Sequence, residues 1–201
     1  AAIGRDELVG ATNLCNLMAP VTVALCANSP IFAGSSCGSQ SAREAHMGAI
    51  HAGTFRHGMP SGPDADTRSM VRRLANQALL VTRRDDQILP GSGSFVDHLA
   101  ALNPADTELA WTDFLLHEHY IWNSARPRTA HGTLEMRAAC QEPLHESGAA
   151  ATLGVSLVCA WRSLQTYVDD VLGDRAWDVM RQYHAAVIDH GLSAPEPVEG
   201  F

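Results

Sequence analysis

The stretch TLEMRA at residues 133–138 decides the fold, because polar and apolar residues alternate along it without a break. Successive side chains of a β-strand point to opposite faces, so strict alternation predicts a strand. Glu135 and Arg137 would then share one face with Thr133, which places a carboxylate and a guanidinium two residues apart. The residues expected to face the core are Leu134, Met136 and Ala138.

Two more arginines, Arg126 and Arg128, precede this strand. The apolar run at residues 120–122 predicts a neighbouring strand, and the Arg-Pro-Arg sequence would lie in the connection between the two strands. Three arginines and one glutamate are therefore expected on one sheet face. Arginine binds carboxylates and phosphates through two parallel bonds, and glutamate can hold Mg²⁺, which bridges to nucleotide phosphates. The pattern suits a magnesium nucleotide with an anionic small molecule, but a solvated face of weak salt bridges would look the same.

Helical spacing of apolar residues predicts most of the remaining structure. A buried strand is expected at residues 21–26, Gly-rich or Pro-rich loops at 34–41 and 51–66, and a solvated helix end at 83–86. The last two helices are expected to form an antiparallel hairpin that covers the sheet. The predicted helices are 6–18, 67–80 with a cap at Asp64 or Asp66, 95–102, 106–116, 148–172 and 175–190.

Composition limits the class of protein. The chain has 201 residues, of which 46% are hydrophobic, so one domain with a sizeable core is expected. The net charge of −8 argues against a broad nucleic-acid surface or an anionic membrane partner. No apolar run reaches the ~20 residues of a membrane span, and residues 1–7 do not resemble a signal peptide, so a cytoplasmic location is expected. The five cysteines are an odd number without CxxC spacing, which indicates buried thiols rather than disulfides or a zinc ribbon.

The sequence His117-Glu118-His119 leaves two interpretations open. On a strand, both imidazoles would face the same way and form a transition-metal pair. Otherwise, one histidine belongs to a polar core beside the anion pocket and the other lies in solvent. The metalloprotease pattern HExxH does not apply, because it requires two histidines one helical turn apart.

Two pairs of motifs resemble the carboxylate–amine ligases of the glutamate–cysteine ligase type 2 family. WNSARPR at residues 122–128, followed by GTLEMR at 132–137, resembles the family's carboxyl-terminal signature. ANSP at 27–30, followed by a Gly-rich loop and SAR at 41–43, resembles an earlier motif. The motifs occur in the family's order, from about residue 13 to residue 172.

The resemblance implies an α+β fold: a curved antiparallel sheet with helices packed on one face, forming half of a glutamine-synthetase-like catalytic fold. It also implies an ATP- and Mg²⁺-dependent enzyme of glutathione biosynthesis. Such an enzyme phosphorylates the side-chain carboxylate of glutamate, and an amine such as cysteine then attacks the acyl phosphate. Residues 1–193 would be the carboxyl-terminal portion of the catalytic domain, and 194–201 a flexible tail.

The resemblance also assigns roles to individual residues. Glu135 would be the metal ligand, and Arg137 would contact the transferring phosphate or the glutamate carboxylate. Arg126 and Arg128 would bind anions near the pocket. The residues expected near the substrate are Asn28 and Ser29, which shape a turn, and Arg43, which follows the Gly-rich loop.

The sequence departs from the family's pattern in three respects, one of which is SSCG at 35–38 in the Gly-rich loop, where Arg-Asp-Thr-Gly is common. The paired glutamates of a Gly-x-Glu-x-Glu strand are missing, so the chain resembles the carboxyl-terminal half only. Cys140 stands where the family often has an aspartate. The alternative to a ligase is therefore a non-catalytic binding or assembly module of the same fold. The expected partners are small-molecule substrates and either a second copy of the chain or a complementary amino-terminal half.

Overall fold

The computed structural model describes residues 3–128, 131–140 and 142–201, and it shows an α+β protein. Nine α-helices and eight short strands are found within these ranges. The helices are α1 Leu8–Leu17, α2 Ala19–Cys26, α3 Ala42–Ile50, α4 Thr67–Ala75, α5 Phe95–Ala101, α6 Thr107–His119, α7 Ala149–Cys159, α8 Trp161–Leu172 and α9 Ala176–His190. The strands are β1 Ile31–Phe32, β2 Ser35–Ser36, β3 His57–Gly58, β4 Val81–Arg84, β5 Gln87–Pro90, β6 Trp122–Asn123, β7 Ala125–Arg128 and β8 Thr133–Met136.

The main hydrophobic core lies between the first two helices and the last three. Leu14 of α1, Val23 of α2, Val168 of α8 and Met180 of α9 are each completely buried in it. The inward face of β8 packs against the same core, as its alternation predicted. A smaller cluster joins α4, α5 and α6, with Phe95 at its centre. These two cores support the strands that carry the charged residues.

The described strands form four separate two-stranded sheets. β7 and β8 pair in antiparallel register, whereas β3 and β6 pair in parallel. The remaining pairs, β1–β2 and β4–β5, are antiparallel. The curved antiparallel sheet that the resemblance implies is therefore not confirmed within the described residues.

The prediction of a buried strand at residues 21–26 is wrong, because this segment belongs to helix α2. Pro20 stands in the first turn of α2, where its missing N–H costs nothing and its fixed φ suits a helix. Most of the helix is buried, so its sequence is apolar on all sides and shows no helical period. A short apolar run between turn residues does not distinguish a buried strand from a buried helix.

Three other expectations need correction. The helix predicted for 148–172 is two helices, α7 and α8, which meet at Ala160. The sequence RRDD at 83–86 is the end of β4 and a β-hairpin turn rather than a helix end, because Asp85 and Asp86 adopt positive φ between β4 and β5. Only part of the final helices covers a strand pair: α9 packs mainly on α2 and α8 on α1, whereas α7 lies against β8, where an added Cβ at Gly154 would be 3.3 Å from Met136 Sδ.

Several expectations are confirmed. The helices predicted at 6–18, 95–102 and 106–116 are present as α1, α5 and α6 with small changes at their ends. The helix predicted at 67–80 is present as α4 but ends at Ala75, and Asp66 caps it by accepting a bond from the Ser69 N–H at 2.6 Å. The five cysteines form no disulfide, but only Cys15 and Cys26 are buried and Cys159 is exposed, so the expectation of buried thiols holds for two of them. The flexibility expected of the tail at 194–201 stays a prediction; its Val198 and Phe201 pack against the main core.

The length and apolar composition of the helices decide whether any of them could span a bilayer. Within the described residues, no single helix is long and apolar enough to cross a membrane. The helical segments Arg5–Leu17 and Ala19–Cys26, which meet at a bend, reach the required length and apolar composition only when they are taken together.

Candidate functional site

The β7–β8 hairpin brings together the charged residues that the sequence predicted on one face. Its register places Arg126 opposite Glu135 and Arg128 opposite Thr133, and Arg137 follows directly after β8. The predicted convergence of three arginines on Glu135 is confirmed. The expected position of the Arg-Pro-Arg sequence is wrong, because it forms β7 itself and not a connection. The strand expected at 120–122 is found at Trp122–Asn123 as β6, and it pairs with β3 rather than with β8.

The Glu135 carboxylate accepts hydrogen bonds from all three guanidinium groups. Its Oε2 accepts from Arg126 Nε at 3.2 Å, from Arg126 Nη2 at 3.1 Å and from Arg128 Nη1 at 2.9 Å. Its Oε1 accepts from Arg137 Nη1. Burial alone would raise the pKa of Glu135, but the bonds from Arg128 and Arg137 and the charge of Arg126 lower it to about 2. Glu135 is therefore ionised, and the cluster keeps an excess of two positive charges.

Arg126 is an anchor within this cluster. Its side chain is buried, and its Nη1 donates to the main-chain carbonyls of Glu118, His119 and Ile121 at 2.8, 2.8 and 2.6 Å. Carbonyls at the end of a helix have no partner within the helix, so Arg126 both satisfies the end of α6 and fixes the position of β7. Its donors are directed at the protein rather than at solvent.

Arg128 and Arg137 form the accessible part of the cluster. Their side chains are 28% and 25% exposed. The Nε of Arg137 is buried and has no hydrogen-bond partner among the described residues. These two guanidinium groups can therefore donate to an anion that approaches from outside.

A small cleft of about 70 Å³ lies beside the cluster, between α6 and β7. Its walls include His119, Arg126 and Arg128. Burial lowers the pKa of His119, and the charges of Arg126 and Arg128 lower it further. The cleft therefore has two guanidinium groups and an imidazole of lowered pKa among its walls, but Glu118 also lines it, so only its Arg126–Arg128 side favours an anionic group.

The transition-metal pair left open for His117 and His119 is not formed. Both histidines lie on helix α6, where residues two apart point in different directions. His117 is buried, and its Nε2 lies 2.8 Å from the Leu74 carbonyl. His119 is exposed. One histidine is buried and the other is exposed, as the alternative interpretation expected, but the exposed His119 and not the buried His117 lines the cleft beside the arginines.

The earlier motif lies next to the end of β8. Arg43 on α3 donates from Nη1 to the Arg137 carbonyl at 2.6 Å. Ser29 pairs through its main chain with Ser41, whose hydroxyl lies 2.7 Å from the Cys140 thiol. Asn28 is exposed in the same turn. The two motifs, far apart in sequence, are therefore adjacent in the fold.

One buried carboxylate beside Arg43 was missed by sequence reasoning. Glu44 is 2% exposed and binds both Arg43 and His57. The sequence contains no local signal for this contact, because Glu44 and His57 lie thirteen residues apart on different elements.

A comparison with known protein families shows which family shares this arrangement. The profile of Glutamate-cysteine ligase family 2 (GCS2) matches residues 4–191, nearly the whole chain. The chain belongs to this family. Membership of GCS2 implies an ATP-dependent carboxylate–amine ligase in general. A search of curated proteins finds no match.

The positive charge of this site in the GCS2 chain suits the phosphates of a magnesium nucleotide better than its metal ion. The exposed guanidinium groups fit the phosphates of ATP, because they are cationic donors. Mg²⁺ fits poorly, because three cations surround Glu135 and bind both of its oxygens. Within the described ranges, no three His, Cys, Asp or Glu side chains are grouped so as to hold a metal ion. The described residues therefore suit an anion better than Mg²⁺.

Proposed function

We propose that this chain supports the formation of a γ-glutamyl amide from glutamate and an amine, through an acyl phosphate made with ATP. The observation that carries the proposal is the set of three guanidinium groups around Glu135 in a GCS2 chain. In this proposal, ATP transfers its terminal phosphoryl group to a glutamate carboxylate oxygen, and ADP leaves. The amine nitrogen then attacks the acyl carbon, and phosphate leaves as the C–O bond breaks.

Arg128 and Arg137 would bind the transferring phosphoryl group. Phosphoryl transfer requires positioning and neutralisation of charge more than a protein nucleophile. The two partly exposed guanidinium groups provide fixed donors for this purpose, since each is already held by Glu135. Arg126 would act as a positioning residue, because its own donors bind Glu135 and the end of α6.

Arg43, Ser29 and Asn28 would form the substrate side of the site. Arg43 contacts the main chain of Arg137, so an anion bound at Arg43 would lie near the phosphate-binding arginines. Ser29 belongs to the bridge that precedes α3 and fixes its start. Cysteine as the acceptor amine, and a role in glutathione biosynthesis, are parts of the same proposal.

A metal ion would require ligands beyond the described residues. GCS2 proteins typically use metal ions with ATP, but Glu135 is occupied by its arginines. We therefore assign Glu135 to the arrangement of the arginines and derive no step through a metal.

The proposal is tested by ATP turnover with glutamate and a panel of amines, measured on wild type, R137A and E135Q. We expect kcat to fall about 100-fold in R137A, because it removes a donor to the transferring phosphate. R162A is the matched control, because Arg162 is exposed on α8, where it pairs with Glu7 and lies over the Trp161 ring, away from the arginine cluster. Unchanged turnover in both R137A and E135Q would contradict the site.

The alternative is a non-catalytic binding module of the same fold. It is favoured by the lack of grouped metal-ligating side chains in the described part of the chain. The same assay separates the two functions. If the chain binds ATP through Arg137 but turns over no amine, it is a binding module. If it forms an amide, the binding-module function is excluded.

A further inference from the structure

A second buried charge cluster lies beside the arginine site, centred on Glu44 of α3. Glu44 Oε1 accepts from Arg43 Nη1 at 2.7 Å, and Oε2 lies 2.9 Å from His57 Nε2. His184 Nε2 lies 4.0 Å from the same Oε2. Burial would raise the pKa of Glu44, but the bond from His57 and the charges of His57 and Arg43 hold it below its ordinary value. Glu44 is therefore an ionised carboxylate inside the protein.

Three elements hold this carboxylate in place. Glu44 lies on α3, His57 on β3 and His184 on α9. His184 packs directly against Gly58, where an added Cβ would lie 3.3 Å from its Cε1 and where φ is +71°. Because all three elements meet at one side chain, the position of Glu44 is fixed by the fold and not by α3 alone.

Glu44 in turn fixes one edge of the Arg43 guanidinium. Both protons on Nη1 are used, one by Glu44 and one by the Arg137 carbonyl. The other edge, made of Nε and Nη2, has no hydrogen-bond partner in the described part of the chain. The Arg43 side chain is 36% exposed. A guanidinium edge of this kind binds a carboxylate through two parallel bonds.

We propose that Glu44 is a positioning residue that holds the free edge of Arg43 ready for the carboxylate of the amino-acid substrate. The identity of that substrate, glutamate, rests on the proposed function. In this proposal Glu44 itself makes no contact with the substrate. Glu44 acts only by orienting Arg43. His57 and His184 contact the Glu44 carboxylate and hold it in position.

The test is a double-mutant cycle read out by calorimetric titration with L-glutamate. E44Q removes the charge that orients Arg43, and R43K keeps a positive charge but removes the two-donor edge. We expect each single variant to weaken glutamate binding about tenfold. The double variant E44Q/R43K should bind no more weakly than R43K, because Glu44 acts through Arg43. E146Q is the control and should bind as wild type does, since Glu146 is exposed.

The outcomes separate this proposal from the proposed function. Multiplied effects in the double variant, unchanged binding in E44Q, or no glutamate binding by wild type would each overturn the role of Glu44. Glutamate binding without ATP-dependent ligation would contradict the proposed function but would not contradict the role of Glu44 in orienting Arg43. In an active enzyme, E44Q should raise KM for glutamate and leave kcat unchanged. If E44Q does not fold, H57A replaces it in the cycle, because it removes the partner of Glu44 on β3.

Discussion

At the scale of single residues, Glu135 is stabilised by charges that it also organises. Three guanidinium groups would repel one another without the carboxylate between them. The same carboxylate holds Arg128 and Arg137 in fixed directions, so they can meet an anion without rearranging. Its role is therefore both structural and functional, and the two can be measured separately.

The structural role predicts a dependence of stability on pH. The pKa of Glu135 is lowered from 4.5 to about 2 in the fold, so its ionised form stabilises the protein above about pH 4.5. This contribution is lost as the pH falls from about 4.5 towards about 2. The difference in unfolding free energy between wild type and E135Q should therefore shrink between pH 5 and pH 3 in urea titrations. A difference that stays constant over this interval would show that Glu135 is not paired in the fold.

Removing Arg126 should destabilise the protein far more than removing an exposed arginine. R126M removes the guanidinium that donates to three carbonyls and takes away one of the three cationic partners of Glu135, which should cost about 3 kcal/mol. R162M is the control, and its cost should stay below about 0.5 kcal/mol because Arg162 is exposed. Urea unfolding of both variants measures the difference. Equal costs would contradict the anchoring role.

At the scale of elements, alternation identified β8 but not its partner. The pattern at 133–138 fixes which side chains share a face, because strand geometry has a period of two. It does not fix which segment pairs with the strand, so Arg126 and Arg128 were expected in a connection and are found in β7. Helix α2 was missed for a related reason, because burial on all sides removes the period that distinguishes a helix.

The crossing of α1 and α8 depends on one glycine. An added Cβ at Gly10 would lie 2.7 and 2.8 Å from ring atoms of Trp161. Gly10→Ala should therefore cost about 1–3 kcal/mol, because the ring has to move. Gly48→Ala is the matched control in helix α3, where the added Cβ meets nothing within 4 Å. It should stabilise the protein by about 0.5–1 kcal/mol. Thermal unfolding of both variants tests the crossing, and equal shifts would contradict it.

At the scale of the whole molecule, the site joins residues that sequence proximity does not connect. The motif that carries Arg43 and the motif that carries Arg137 are joined by the hydrogen bond from Arg43 to the Arg137 carbonyl. Family resemblance placed both motifs near a substrate, but it gave no contact between them. Glu44 and His184 lie on helices far apart in the chain, so only the packing of α3 on α9 brings them together.

The described surface also predicts self-association. The β4–β5 hairpin is a two-stranded sheet with open edges, and Ile88 and Leu89 on β5 are 54% and 40% exposed. We expect light scattering to show a species larger than one chain at micromolar concentration. I88K should reduce its size, because a lysine on an edge strand opposes pairing. A clean monomer for wild type would contradict this prediction.

The central claim is that Arg128 and Arg137, held by Glu135, bind the phosphates of ATP. Calorimetric titration of the chain with ATP tests it most directly, on wild type, R128A, R137A and the exposed control R162A. We predict that R128A and R137A each weaken ATP binding about tenfold, while R162A binds as wild type does. Equal affinity in all four proteins, or no binding by wild type, would contradict the account.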